Sequence, residues 1–307
     1  MKAIFILFAL FLLSSCGIRS SADSERDVIR IAYLPITHSA AVMMLPYVSG
    51  PDCDFRVELV RFTGWPEVVE ALSAGHVDGA SVLFEVAVSA FLRGSEWSVI
   101  SLSHRDGNVL VVDNTIKDIH GLVGKTVAIP HAHSPHMTLL NKVLAREGLT
   151  INDINLIELS PAEMPFSMAA RAISAYVVAE PWGSLAEYRG AGRILVNSVD
   201  VIPDSVCCLL VFDTQALMGR EGLYEWLHDR FAQAAVLAAN LEPSAIAVFR
   251  ADTGFDHAII QKSLQNTNFN NLEFTQDDYK TTVENVLRYG VLYYFPTFEE
   301  FLGRRWE

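Results

Sequence analysis

Three histidines fall within six residues in the run His131-Ala132-His133-Ser134-Pro135-His136. Imidazole can ligate a metal, take a proton near neutral pH or hydrogen-bond a solute. Ser134 suits a helix N-cap, Pro135 suits the first helical position, and Met137, Leu139, Leu140, Val143 and Leu144 recur at helical spacing, so a helix is expected over 135–146. His131 and His133 then sit in the loop and His136 in the first turn, where free backbone N–H groups favour an anion or an acceptor atom. Side chains two apart in a short extended loop diverge, and no carboxylate or cysteine cluster adjoins, so zinc or nickel on this loop stands as an alternative and no metal is assigned. Glu180 lies between an apolar run and Pro181, where an unpaired carboxylate is costly; it bonds nearby backbone or meets a ligand donor. Trp65 precedes a helical run and is either a stacking ring for a ligand or a packing residue.

The elements that must position these groups alternate. Strands are expected over 29–34, 55–62, 77–83, 97–103 and 109–112, with helices over 39–48, 65–74 and 84–92. A second series follows: strand 125–130, helix 135–146, strand 154–159, helix 161–170, strand 175–178, helix 182–189 and strand 193–196. A shift of 96 residues lays Arg30-Ile31-Ala32 on Thr126-Val127-Ala128, Glu67 on Glu163, and the stretch 72–80 on 168–176, which points to two similar α/β units. An apolar strand over 207–212 is expected to return the chain to the first unit, and the helical patterns beyond 213 to pack on that unit as a cap. Strand–helix alternation implies mostly parallel, doubly wound sheets with ligands at the carboxyl ends of the strands.

The 307 residues are 51% hydrophobic, ample for a sizeable core in two lobes, and carry a formal charge of −13, which argues against a nucleic-acid partner. Residues 3–13 form an apolar run too short to span a bilayer, and Leu13-Ser14-Ser15-Cys16 resembles a bacterial lipobox. The resemblance implies a signal peptide over 1–15, lipidation of Cys16, a polar tether over 16–27 and an extracytoplasmic protein anchored to a bacterial membrane by lipid. Beyond Cys16 only Cys53, Cys207 and Cys208 remain, so a bridge from Cys53 to one of the pair and free buried thiols both fit. No G-x-S-x-G or Ser-His-Asp pattern appears, and Cys207-Cys208 alone is a weak nucleophile signal, so the chain is not read as an enzyme.

Five stretches in order, IRIAYLPITHSAAVMMLP, EALSAGHVDGASV, GKTVAIPHAHSPHMTLLNKVLAREGL, LSPAEMPFSM and AYVVAEPWGSLAEYRGAGRIL, cover most of residues 29–195. Together they resemble the solute-binding proteins of bacterial ABC importers in the nitrate, bicarbonate, sulfonate and thiamine-pyrimidine-precursor superfamily. The resemblance implies a two-lobed periplasmic binding protein of type II, with lobe 1 over 28–114, lobe 2 over 115–204 and the return strand and C-terminal helices of lobe 1 over 205–307. It also implies a monomer that captures a small molecule without a cofactor and delivers it to an ABC permease and its ATPase. Gly75 and Asp78 of the first unit fall on Arg171 and Ser174 of the second, a departure from the family pattern.

In such a cleft the strand-to-helix loops face the solute. That criterion selects Tyr33, Thr37, His38, Trp65, Phe84 and Glu85 from lobe 1 and His131, Ser134, His136 and Glu180 from lobe 2. His104 and Arg105 line the hinge, or Arg105 and Asp106 form a surface pair. A small anion such as nitrate, bicarbonate or a sulfonate would use helix N-termini but finds no lysine in these loops; a flat heterocycle such as a thiamine-pyrimidine precursor would use Trp65 or Tyr33 with Glu180. Relatives of the superfamily include thiamine-pyrimidine synthases, which leaves an enzyme of that type as a further alternative.

Overall fold

The computed structural model describes residues 27–50 and 53–303; the expected leader, Cys16 and the tether up to residue 26 lie outside the described residues. In chain order the first unit comprises β1 (Asp27–Tyr33), α1 (Ala40–Val48), β2 (Phe55–Arg61), α2 (Trp65–Ser73), β3 (Gly79–Leu83), α3 (Phe84–Leu92) and β4 (Trp97–Leu102). Two strands then carry the chain across, β5 (Arg105–Asp106) and β6 (Asn108–Val112). The second unit follows as β7 (Thr126–Ile129), α4 (Pro135–Arg146), β8 (Asn155–Glu158), α5 (Met164–Ala169), β9 (Ala175–Ala179), α6 (Trp182–Tyr188) and β10 (Arg193–Asn197). The chain ends through β11 (Cys208–Asp213), α7 (Thr214–Met218), α8 (Leu223–Ala239), α9 (Pro243–Thr253), α10 (His257–Gln265), β12 (Thr267–Asn268), α11 (Gln276–Tyr289) and α12 (Phe298–Leu302).

Two five-stranded sheets result, ordered β2-β1-β3-β11-β4 and β10-β6-β9-β7-β8. The orders coincide when β7, β8 and β9 are laid on β1, β2 and β3, and the register repeats the 96-residue shift: Ile31 pairs Gly79 and Ala32 pairs Ala80, as Val127 pairs Ala175 and Ala128 pairs Tyr176. Each sheet is parallel apart from one inserted antiparallel strand, β11 in the first and β6 in the second. These inserted strands are where the chain exchanges between units. Because β6 belongs to the second sheet, the first crossing falls at residues 103–107, earlier than the boundary at 114 expected from sequence. The chain returns to the first sheet at β11.

The apolar residues of the parallel strands are buried on both faces, Ile29, Ile31, Val127 and Ile129 among them, as covered parallel sheets require. The second unit holds a compact core of its own around Leu110, Val127, Leu140 and Leu144. The C-terminal helices pack on the first unit and reach the second as well. Helix α8 packs on α1, but α11 lies against α4 and α10 against α6. Polar residues on the α4 side of this contact explain why it does not read as a buried apolar face: Asn141 Nδ2 donates to the Tyr289 carbonyl at 2.7 Å and Lys142 Nζ to Asn285 Oδ1 at 2.9 Å.

The crossings are tied together. Asp106 and Gly107 adopt left-handed backbone with φ 55° and 83°, turning the chain sharply between β5 and β6. Asp106 Oδ1 accepts from the backbone and hydroxyl of Ser205 at 3.0 Å each, joining the outward and the returning segments. Arg105 is buried and forks onto Asp278 at 2.6 and 2.9 Å, while Nε donates to the Asn271 carbonyl. The alternative of a surface pair with Asp106 is thereby replaced by a clamp between hinge and α11.

Candidate metal centre at the crossing strands

Four donors meet where β1, β4 and β11 end. His38 sits in the single 3-10 turn Thr37–Ser39 between β1 and α1, His104 just past β4, Cys207 just before β11 and Cys208 at its first position. All four are 0% exposed, and one ligand atom from each lies within 4.8 Å of the others. Cys207 Sγ is 3.6 Å and Cys208 Sγ 3.8 Å from His38 Nδ1, and the two sulfurs are 3.9 Å apart. A tetrahedral zinc with its usual bond lengths has edges of roughly 3.3–3.8 Å, so the donor set fits an ion with small adjustment. The His38 and His104 rings stack at 3.5 Å between centroids.

The electrostatics suit a soft cation. Burial, and then His104, hold the His38 imidazole below its usual range. Burial alone pushes the Cys207 thiol up, but Cys208 and the imidazoles of His38 and His104 outweigh it and hold it well below the thiol range. Burial and the neighbouring Cys207 push Cys208 up, so of the two sulfurs it is Cys207 that ionises more readily. Asn108 Nδ2 donates to that sulfur at 3.2 Å. Neutral imidazole and thiolate are the ligand forms a transition metal needs. The buried cation beside this centre in sequence, Arg105, is occupied by Asp278.

Around this centre the loops selected from sequence divide. His136, in the first turn of α4, is 1% exposed with both ring nitrogens unpartnered, and burial brings it down to about 4. Glu85, in the first turn of α3, is 1% exposed; Thr138 Oγ1 donates to its Oε1 at 3.1 Å and its Oε2 has no partner. Thr37 closes the cleft, its N–H and hydroxyl donating to the Glu180 carbonyl at 2.8 and 3.1 Å. The Glu180 carboxylate is taken by its own neighbourhood: Ser184 N–H and hydroxyl donate to it at 2.8 Å each and Asn266 Nδ2 at 2.9 Å.

The remaining candidates have other occupations. Tyr33 donates to Asp252 at 2.5 Å, Trp65 is 1% exposed within the first unit's core, and Phe84 packs among Phe274, Tyr279 and Phe301. The ring-and-carboxylate set expected for a heterocycle is therefore not assembled. Ser134 serves as the N-cap of α4, accepting from Met137 N–H at 3.3 Å and donating to the His131 carbonyl at 2.5 Å. His131 Nδ1 accepts from His133 N–H at 3.0 Å, and His133 Nδ1 lies 3.3 Å from Ser89 of α3. These histidines seat the loop against the first unit; among the described residues the convergent donors are His38, His104, Cys207 and Cys208 instead.

Cys207 and Cys208 escape the strand-to-helix criterion for a topological reason. β11 runs antiparallel to its neighbours, so its amino end faces the cleft, and a rule built on carboxyl ends passes over it. The available signal is a Cys-Cys pair at the start of the strand expected to return through the hinge. Cys53, Cys207 and Cys208 are all free thiols, which leaves the pair available as ligands.

Two equivalent sheets exchanging strands at a buried cleft define an α/β protein of the periplasmic binding protein type II fold. The chain belongs to the NMT1-like family, whose model matches residues 22–238. It is 27% identical over 200 residues to the bicarbonate transport ATP-binding protein CmpC of Synechocystis sp., a match covering 58% of this chain and 30% of that one. The chain spans less than two thirds of the length of the curated relatives it matches. Among solved structures, a ligand-binding component of an ABC-type import system from Staphylococcus aureus with zinc bound is 29% identical, with a TM-score of 0.81 over 90% of this chain and 96% of that one. The alkanesulfonate-binding protein SsuA from Xanthomonas axonopodis pv. citri bound to MOPS shares the fold at 19% identity, with a TM-score of 0.73 over 86% and 93%.

Proposed function

We propose that this protein is an extracytoplasmic receptor that captures a small solute between its lobes and hands it to an ABC permease with its ATPase, and that the solute is a soft transition-metal ion. The observation that carries the metal reading is the convergence of His38, His104, Cys207 and Cys208 within 4.8 Å in a buried cleft. Thiolate and imidazole together favour zinc or copper(I) over hard cations. The zinc in the Staphylococcus aureus neighbour supports the same chemistry. The relatives' names as transport and binding proteins support a receptor rather than a catalyst, and the apolar leader with Cys16 supports anchoring by lipid.

An oxyanion is the second reading, favoured by the sulfonate and bicarbonate in the relatives' names. Against it, the donor centre of two histidines and two cysteines holds no lysine or arginine, and oxyanions need a fixed positive group. Calorimetric titration of chelator-treated protein lacking residues 1–15 separates the two. Zinc is expected to bind at one ion per chain, and Cys207→Ser or His104→Gln to weaken it on the order of 100-fold, about one ligand's share of a four-ligand site. No heat with zinc, nickel or copper(I) overturns the metal reading, and heat with nitrate, bicarbonate or methanesulfonate would install the oxyanion in its place.

A further inference from the structure

A cavity of about 220 Å³ opens between α4, α11 and the segment that returns to β11. It is far larger than the roughly 10–15 Å³ that one water needs. Glu85, Asn108, Thr138, Ser198, Asp204 and Thr281 contribute its polar wall, and no lysine or arginine lines it. Asn108 connects it to the donor centre through the 3.2 Å bond to Cys207 Sγ. Two side-chain atoms of the lining are buried and without a partner, Glu85 Oε2 and Asn108 Oδ1, and each can accept. Glu85 and Asn108 are 1% and 2% exposed, so their partners must come from within the cavity. A wall with orphaned acceptors and acidic side chains, of which Asp278 is already paired with an arginine, is complemented by a ligand that brings N–H donors and positive charge.

We propose that this cavity is a second subsite that takes the protonated amine of a small organic molecule, carried beside the solute ion, with Glu85 and Asn108 as its acceptors. The proposal rests on the receptor reading of the cleft. It makes the cargo a pair, an ion on the sulfur and imidazole donors and an amine-bearing organic part in the adjoining cavity.

The test is titration of the metal-free and zinc-loaded protein with 1,4-diaminobutane and with histamine, using methanesulfonate as the anionic counterpart. At least one amine is expected to bind. Above pH 8, where Glu85 is ionised, Glu85→Gln should weaken it tenfold or more, the range of a bond to a charged group, while leaving zinc affinity within about twofold. Thr281→Phe, at an exposed position of α11, fills the cavity from its rim and should abolish amine binding without altering the fold by circular dichroism. Amines that give no heat with or without zinc overturn the proposal, as does amine affinity unchanged in both variants, or methanesulfonate binding in this cavity with loss in Thr281→Phe. Zinc that fails to bind while the amines succeed removes the metal reading and leaves the subsite standing.

Discussion

Replacing Gly107 with alanine tests whether His38 is held in place as a donor. Gly107 has φ +83°, and a Cβ there would lie 2.8 Å from Thr267 Oγ1 and 3.0 Å from His38 Nε2. Neither neighbour yields easily: Thr267 Oγ1 is 2.8 Å from Thr37 Oγ1 and donates to the Ser263 carbonyl at 3.1 Å, and the His38 ring is stacked on His104. Left-handed backbone costs a residue with a Cβ about 1–2 kcal/mol, and forcing an extra carbon into a packed site about 1–3 kcal/mol more. Gly75→Ala is the control, because its φ is +70° and nothing lies within 4 Å of its added Cβ. The backbone cost is shared, so the difference isolates the clash: Gly107→Ala should melt roughly 2–12 °C below Gly75→Ala, at about 2–4 °C per kcal/mol. Zinc affinity should fall about tenfold to hundredfold in Gly107→Ala and hold in Gly75→Ala, because one of four ligands is displaced. Equal zinc affinity in the two variants, with the melting difference present, would refute His38 as a ligand.

Three further outcomes follow from the buried groups. Burial raises Glu85 to about 8 and lowers His136 to about 4, so the folded state holds more protons at Glu85 and fewer at His136 than the unfolded chain. Stability tied to Glu85 is present at low pH and lost as pH rises from about 4.5 to 8, while that tied to His136 is present above about 6.5 and lost as pH falls toward 4; Glu85→Gln should flatten the alkaline limb of a melting-temperature profile and His136→Gln the acid limb, and unchanged limbs would contradict these burials. Arg105→Ala leaves Asp278 without its fork and should cost about 3–5 kcal/mol by denaturant unfolding, the range for breaking a buried pair. Trp65→Ala should cost about 3–5 kcal/mol as a core truncation yet leave zinc affinity unchanged, whereas lost affinity in a folded variant would restore Trp65 to the site.

The repeat was legible from few identities because strand register is strongly specified wherever both faces of a sheet are buried; Ile31 opposite Gly79 and Val127 opposite Ala175 preserve the offset that the residues show. Helix α4 was legible from its cap, with Ser134, Pro135 and the spaced apolar residues doing locally what the sequence pattern implies. What escaped was long-range. Cys207 and Cys208 lie about a hundred residues from His104 and farther from His38, and only the antiparallel insertion of β11 brings them together. Glu180 and Trp65 carried chemistry compatible with a ligand, but Ser184 and Asn266 satisfy the first and apolar packing absorbs the second. Isolated residue types do not reveal which of their partners the fold will supply.

The donors' placement has a kinetic consequence. His38 lies on the first lobe and His104, Cys207 and Cys208 on the segments that pass between lobes, so the four-donor set takes nothing from the second sheet or its helices. An ion can dock on this shelf while the second lobe is still swung away. On the proposed reading, closure would then bring the buried first turn of α4 with His136 toward it. On that reading, residence time would be set by how long the lobes stay shut, and a partner that parts them would speed release without first having to alter any of the four donors.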